Sequence, residues 1–314
     1  MITVIIPVLN AMPYLTEALA SLEAQTFRDF DVCLWDNGST DGSVEEARRW
    51  IPNRLKGRVV TGNPLPLHEC LARMVEEART EFVARMDGDD VCLPERFALQ
   101  INYLKNNPLT ALVSGQKIST DASGISLGLS EKFPTKFGDI LFGFLFQNTI
   151  LHPGVLMRKD AVLSVGNYSA LKPVEDYDLW MRIALRYEIA NLEQVVLKYR
   201  RHESAVCGLM NQAPESIEAG MLGVAQKYSQ KIWNISPETY SSLYKKKHPC
   251  ACVPLLRAMK LISARTGESL VSTLSSPWKL SIARCLTWPN DFISKATWRF
   301  VEYRIPRTSH TNEG

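Results

Sequence analysis

The chain has 314 residues, with 36 Lys and Arg against 33 Asp and Glu, 46% hydrophobic residues and 9% aromatic ones. That mixture is too apolar and too evenly charged for an intrinsically disordered protein, and the length supplies one large core or two modest ones. No run approaches the roughly 18 apolar residues of a membrane-spanning helix.

Residues 2–9 (ITVIIPVL) are a short β-branched apolar run, the pattern of a strand buried on both faces rather than of a signal peptide, which needs a basic start and a cleavage site. Leu15, Ala18, Leu19 and Leu22 then recur at helical spacing within residues 14–25. FDVCLW (30–35) predicts a second strand, and DNGSTDGS (36–43) is turn chemistry leading into a helix from Val44. A weaker strand is expected at 57–62, a helix at 67–79, and a third apolar strand at FVARM (82–86), which ends on Asp87, Gly88, Asp89 and Asp90. Pro94 suits the first turn of another helix. This rhythm predicts a parallel sheet with right-handed crossovers. The polar clusters at Asn10, 36–41 and 87–90 all follow strand carboxyl ends, the edge where open α/β sheets bind ligands. From about Thr110 the pattern changes to short strands and loops, with a helix over 175–186 and a strand near 195–200. Beyond Pro214 it is mostly helical, so the expected division is 1–210 and 211–314.

Seven cysteines include one close pair, Cys250 and Cys252, whose one-residue gap fits no zinc pattern; a reducing cytoplasm suits such thiols. From Pro214 onward 14 Lys and Arg face 7 Asp and Glu, whereas the preceding residues carry 22 against 26. The basic segment 277–307 interleaves Trp278, Trp288 and Trp298 with Lys279, Arg284 and Lys295. Basic residues among aromatics suit an anionic membrane surface, or equally a helical subdomain packed on the core. Nucleic acid is a poor fit, because nothing else in the chain predicts a groove or a stacking platform.

The chemistry-bearing residues each admit two readings. Asp87, Asp89 and Asp90 crowd three carboxylates into four positions, which fits either a hard divalent cation such as Mg²⁺ or Mn²⁺ or a turn before the next helix. Asp36 is a nucleoside contact or a turn former. Glu175 and Asp176 are dipole complements at a helix start, or one of them is a general base. His202 and His152 are metal ligands or packing residues. Neither G-x-G-x-x-G after the first strand nor a P-loop is present.

In order along residues 2–205, VIIPVLN (4–10), SLEAQTF (21–27), WDNGSTDGS (35–43), ARMDGDD with LPER (84–96), HPGVLMRKD (152–160), VGNY (165–168), VEDYDLWMRI (174–183) and YRRH (199–202) resemble the family-two glycosyltransferases. The resemblance implies a GT-A fold: an α/β, mostly parallel sheet flanked by helices, here followed by a mainly helical C-terminal region. It implies a metal-dependent inverting transfer of a sugar from a nucleotide-sugar donor, by family habit a UDP-sugar, to a glycan or lipid-linked acceptor. On that carry-over Pro7, Asn10 and Asp36 contact the nucleoside, and Asp87 and Asp89 form the D-x-D motif. His202 joins Asp89 and Asp87 on the metal, and Asp176 is the base. Arg85, Gly166, Glu175 and Trp180 face donor and acceptor. The chain departs from the family at Ala72 and Met74, where an Asn and a Gly are common. The place implied is the cytoplasm, at or near the inner face of the cell membrane. The rival readings are a sugar-phosphate nucleotidyltransferase and a non-catalytic sugar-nucleotide binding module.

Overall fold

A computed structural model describes residues 1–129, 132–171, 173–203, 214–244 and 252–267. Strands β1 (Ile2–Val8), β2 (Phe30–Asp36), β3 (Gly57–Thr61) and β4 (Phe82–Arg85) alternate with helices α1 (Leu15–Glu23), α2 (Ser43–Trp50) and α3 (Leu67–Glu77). β1 lies parallel to both β2 and β4, and β2 is parallel to β3. Side chains on a strand point alternately to its two faces, and both faces here are covered. Val4 and Ile6 pack in one apolar layer with Leu15, Leu19 and Leu22 of α1. Ile5 enters the opposite layer with Leu71 and Val75 of α3. The continuous apolar runs in the sequence follow from this double coverage.

The second half is mixed rather than parallel. It comprises β5 (Val91–Cys92), α4 (Arg96–Asn106), β6 (Thr110–Thr120), β7 (Ser126–Leu129), α5 (Phe137–Gly143), a 3-10 turn (His152–Gly154), β8 (Leu156–Arg158), α6 (Lys159–Ser164), α7 (Glu175–Ala184) and β9 (Glu188–Arg200). The sheet order is β3-β2-β1-β4-β8-β6-β9-β5, with β7 paired to β6. β8 is antiparallel to β4 and β6, whereas β6 and β9 are parallel.

Three features of this half differ from what the sequence led us to expect. The region after Thr110 holds long strands, 11 residues in β6 and 13 in β9, where the sequence predicted short ones. Polar residues masked β9: Asn191 is buried inside it, and its Nδ2 donates to the carbonyls of Pro134 and Thr149. Gly115 lets the two long strands close up, since a Cβ there would lie 2.7 Å from Val196 Cγ1. β5, which the sequence did not signal, is two residues long and pairs antiparallel with Leu197 and Lys198 of β9. Helix α4 begins at Arg96 rather than at Pro94, whose carbonyl accepts the N–H of Thr26.

Three further helices follow, α8 (Pro214–Trp233), α9 (Pro237–Tyr244) and α10 (Cys252–Thr266). They share the apolar layer of α3 and α7 through Val224, Trp233, Tyr240, Met259 and Ile262. Trp233 donates its indole N–H to the Leu141 carbonyl at 2.8 Å and stacks on Tyr240. The expected boundary near residue 210 and the basic segment 277–307 lie outside the described residues.

Candidate active site

Two loops are joined at the carboxyl ends of β1 and β2. Asn10 adopts a left-handed backbone (φ 53°), and its N–H donates to Ser39 Oγ at 2.8 Å. Thr40 N–H returns a bond to Asn10 Oδ1 at 2.9 Å, and Met12 N–H donates to Asp41 Oδ2 at 2.8 Å. Asp36 ends β2 with 4% exposure, its Oδ2 accepting the N–H groups of Gly38 (3.0 Å) and Ser39 (3.2 Å). Pro7 lies beside Trp35 in the same parallel register. Asn37, which the sequence reading passed over, exchanges two hydrogen bonds with the backbone of Leu65 and so pins the loop before α3. Of the two departing positions, Met74 is fully buried in the core and Ala72 gives its carbonyl to Asn167 Nδ2 at 2.9 Å.

The acidic turn lies between β4 and β5. Because β5 pairs with β9, the turn meets the end of β9, and His202 Nε2 stands 2.9 Å from Asp89 Oδ2. Asp87, Asp89 and Asp90 each offer a carboxylate oxygen within 4.8 Å of the others. Burial and the Asp89 charge push the Asp87 carboxyl up to about 6, against the pull of Arg85. Burial, Asp87 and Asp89 push Asp90 well above the usual carboxylate range. Its Oδ1 accepts the Arg200 backbone N–H at 2.9 Å, and its Oδ2 is buried without a partner among the described residues. Three crowded carboxylates, two of them raised chiefly by burial, with an imidazole at their edge, have the donor chemistry of a hard divalent cation site.

The same turn is held by residues with no assigned role in the sequence. Arg200 Nε donates to the Asp89 carbonyl at 2.9 Å, and its guanidinium pairs with Glu17 and lies 4.8 Å from the Tyr14 ring centre. Tyr14 in turn contacts the His202 ring at 4.5 Å between centroids. The YRRH word pointed at this strand end, but nothing marked Tyr14.

Arg85 connects the turn to the start of α7. It is buried at 5% exposure and forms a two-pronged pair with Asp87, at 2.7 and 2.5 Å. Its charge also acts on His152, Tyr168 and Asp176. Asp176 accepts Tyr177 N–H on Oδ1 at 2.7 Å and Asn148 Nδ2 on Oδ2 at 2.8 Å. The helix N-terminus favours its charged form, as the sequence led us to expect. Burial and neighbouring Glu175 outweigh that, and the carboxyl is pushed up to about 6. Glu175 is itself buried, and its Oε2 has no partner among the described residues. Asp178 faces away, tied to Ser169, Arg182, Lys227 and Tyr228.

Two expected site residues are placed differently from the rest. Trp180 is 0% exposed and packs edge-on against His152, 5.7 Å between centroids. Gly166 (φ +91°) ends α6: its N–H donates to the Leu163 carbonyl, and Asn167 N–H donates to that of Val162. That pair of bonds is the Schellman helix stop, which favours glycine at this position. Two residues on, Tyr168 reaches the site, its hydroxyl 2.9 Å from His152 Nε2.

The family model described as glycosyl transferase family 2 matches residues 3–163. Over 188 residues the chain is 35% identical to the amylovoran biosynthesis glycosyltransferase AmsE of Erwinia amylovora, covering 59% of this chain and 70% of that one. It is 29% identical to the O-antigen biosynthesis glycosyltransferase WbnJ of Escherichia coli, covering 65% of this chain and 81% of the relative. Among solved structures, TarS 1–349 of S. aureus in complex with UDP-GlcNAc aligns at TM-score 0.55 and 18% identity, over 90% of this chain and 87% of that one. The chain spans 50% of a longer TarS chain. The mannosyltransferase PcManGT of Pyrobaculum calidifontis, in complex with GDP-Man and Mn²⁺, aligns at TM-score 0.58 and 16% identity, over 95% of this chain and 84% of that one. At these identities the structural likeness concerns the fold, which is of GT-A type.

Proposed function

The chain belongs to glycosyl transferase family 2, and from that membership we propose that it transfers a sugar, with inversion, from a nucleoside-diphosphate sugar to a hydroxyl of a glycan or lipid-linked acceptor. The observation that carries the reading is Arg85, which pairs with Asp87 of the acidic turn and exerts its charge on Asp176. One buried cation thereby links a site for a diphosphate and its metal to a carboxylate fit to take a proton.

The roles divide along the sheet edge. Asp36, Asn10 and the backbone near Pro7 receive the nucleoside. Asp87, Asp89 and His202 hold a divalent cation, Mg²⁺ or Mn²⁺, which when bound neutralises charge on the departing diphosphate. Asp176 accepts the proton of the acceptor hydroxyl as its oxygen bonds to the anomeric carbon. The bond from that carbon to the diphosphate breaks, and its electron pair leaves with the nucleoside diphosphate. Glu175, buried with an oxygen unpartnered among the described residues, receives hydroxyls of the donor sugar.

The names of the relatives support a cell-surface polysaccharide as product, and the UDP-GlcNAc complex of TarS supports UDP as the carrier. The test is a panel of UDP-glucose, UDP-galactose, UDP-N-acetylglucosamine and GDP-mannose, with release of nucleoside diphosphate to water or added sugars as the readout. Release that requires Mg²⁺ or Mn²⁺ and is weakened in Asp89→Ala is the expected result. No release from any donor, or full activity in excess EDTA, overturns the proposal.

A further inference from the structure

Asp176 draws its partners from segments far apart in the chain. Asn148 lies in the loop between α5 and the 3-10 turn, and its amide is fixed from both ends. Its Oδ1 accepts the backbone N–H of Ile150 at 3.1 Å, which leaves its NH₂ as the group facing Asp176 Oδ2, 2.8 Å away. His152 is the other side chain near that oxygen, but its Nδ1 is 3.8 Å distant, beyond hydrogen-bond reach. Burial and Arg85 hold the imidazole well below its ordinary range, so it is neutral, and its Nε2 is engaged by the Tyr168 hydroxyl. The one side-chain N–H bonded to Asp176 among the described residues is therefore that of Asn148.

We propose that Asn148 is a positioning residue for sugar transfer, aiming the Asp176 carboxylate and holding it in its ionised, proton-accepting form. The inference rests on the reading of Asp176 as the base. A carboxylate oxygen has two lone-pair directions, and the Asn148 bond occupies one of them. With Tyr177 N–H on Oδ1, it fixes the rotation of the carboxylate and so the direction of the remaining lone pairs. The groups that set its charge are few. Burial and Glu175 on its own helix favour the neutral acid, while the Tyr177 N–H, Arg85 from β4 and the Asn148 amide favour the anion. The Tyr168 hydroxyl and His152 face the same region as neutral groups, because burial raises the phenol and depresses the imidazole. Removing Asn148 subtracts from the anion side alone. The carboxyl then titrates higher, and a smaller fraction of enzyme carries a working base at neutral pH.

The experiment is the pH profile of kcat for Asn148→Ala, at saturating Mn²⁺ and with whichever panel donor turns over fastest. Asn148 is half-buried, so the variant is expected to fold. Asn148→Leu, which has nearly the same size and neither a donor nor a charge, serves the same purpose if it does not. The expected result is an acidic limb displaced upward by roughly one pH unit, with activity recovering toward wild type at high pH and donor KM unchanged. A merely structural role lowers kcat by the same factor at every pH, and a limb that stays in place overturns the proposal. Asp176→Asn run alongside separates the two readings. If it turns over like wild type, the base assignment fails. If it is inactive while the Asn148 limb does not move, the Asn148 inference alone fails.

Discussion

Glu175 and Asp176 are adjacent carboxylates at the start of one helix, yet their surroundings assign them different work. Asp176 is hydrogen-bonded to Asn148 and Tyr177, whereas Glu175 is buried with one oxygen unpartnered among the described residues. Because the Asp176 carboxyl is raised to about 6, the proton-accepting form is lost as pH falls through that value and gained as pH rises through it. Turnover at saturating metal is therefore expected to climb across pH 5–7. Glu175→Gln removes the like charge that helps to raise Asp176, so the acidic limb should move to lower pH; an upward move or none contradicts the assigned coupling. The sequence made this pair legible because two acids opening an amphipathic helix are a local pattern. Asn148 was not legible, since it meets Asp176 across 28 residues of chain and lies in no motif.

At the scale of elements, the site depends on a strand of two residues. β5 is too short to leave a hydrophobic pattern, yet its pairing with β9 carries the acidic turn to His202. The three apolar strands β1, β2 and β4 were readable because both of their faces are buried. The first seven residues of β9 leave no strand pattern in the sequence, because Asn191 satisfies its amide inside the fold and so tolerates burial. The left-handed backbone of Gly166 stops α6, and an added Cβ would find Arg182 Nη1 no nearer than 3.7 Å, so the strain of an alanine is conformational rather than steric. Gly166→Ala should cost about 1–2 kcal/mol of stability, measured by denaturant unfolding, and leave donor KM unchanged. A raised donor KM at unchanged stability would instead favour the donor-facing role that the family resemblance implies.

Over the whole molecule, α8–α10 and the sheet bury one continuous apolar layer, so the helical region buttresses α7, the helix that opens with Glu175 and Asp176. No helix among the described residues is long and apolar enough to cross a membrane. We propose that any membrane contact is peripheral and electrostatic, through the basic segment within 211–314. Each Lys or Arg near an anionic surface contributes about 1 kcal/mol. Flotation of the full chain with phosphatidylserine-containing vesicles should then be strong at low salt and weak with neutral vesicles. Equal flotation with both, or none with either, removes the membrane role.

Asp176 is proposed as the base of this family-two glycosyltransferase beside the Asp87–Asp89 site, and the rate and donor affinity of Asp176→Asn test that role. The substitution keeps the shape of the side chain and removes its basicity. Nucleoside diphosphate release at saturating donor and Mn²⁺ should fall by a factor on the order of 10² to 10⁴, with donor Kd nearly unchanged and the melting temperature close to that of the parent. A folded Asp176→Asn variant that turns over at the wild-type rate would contradict the account.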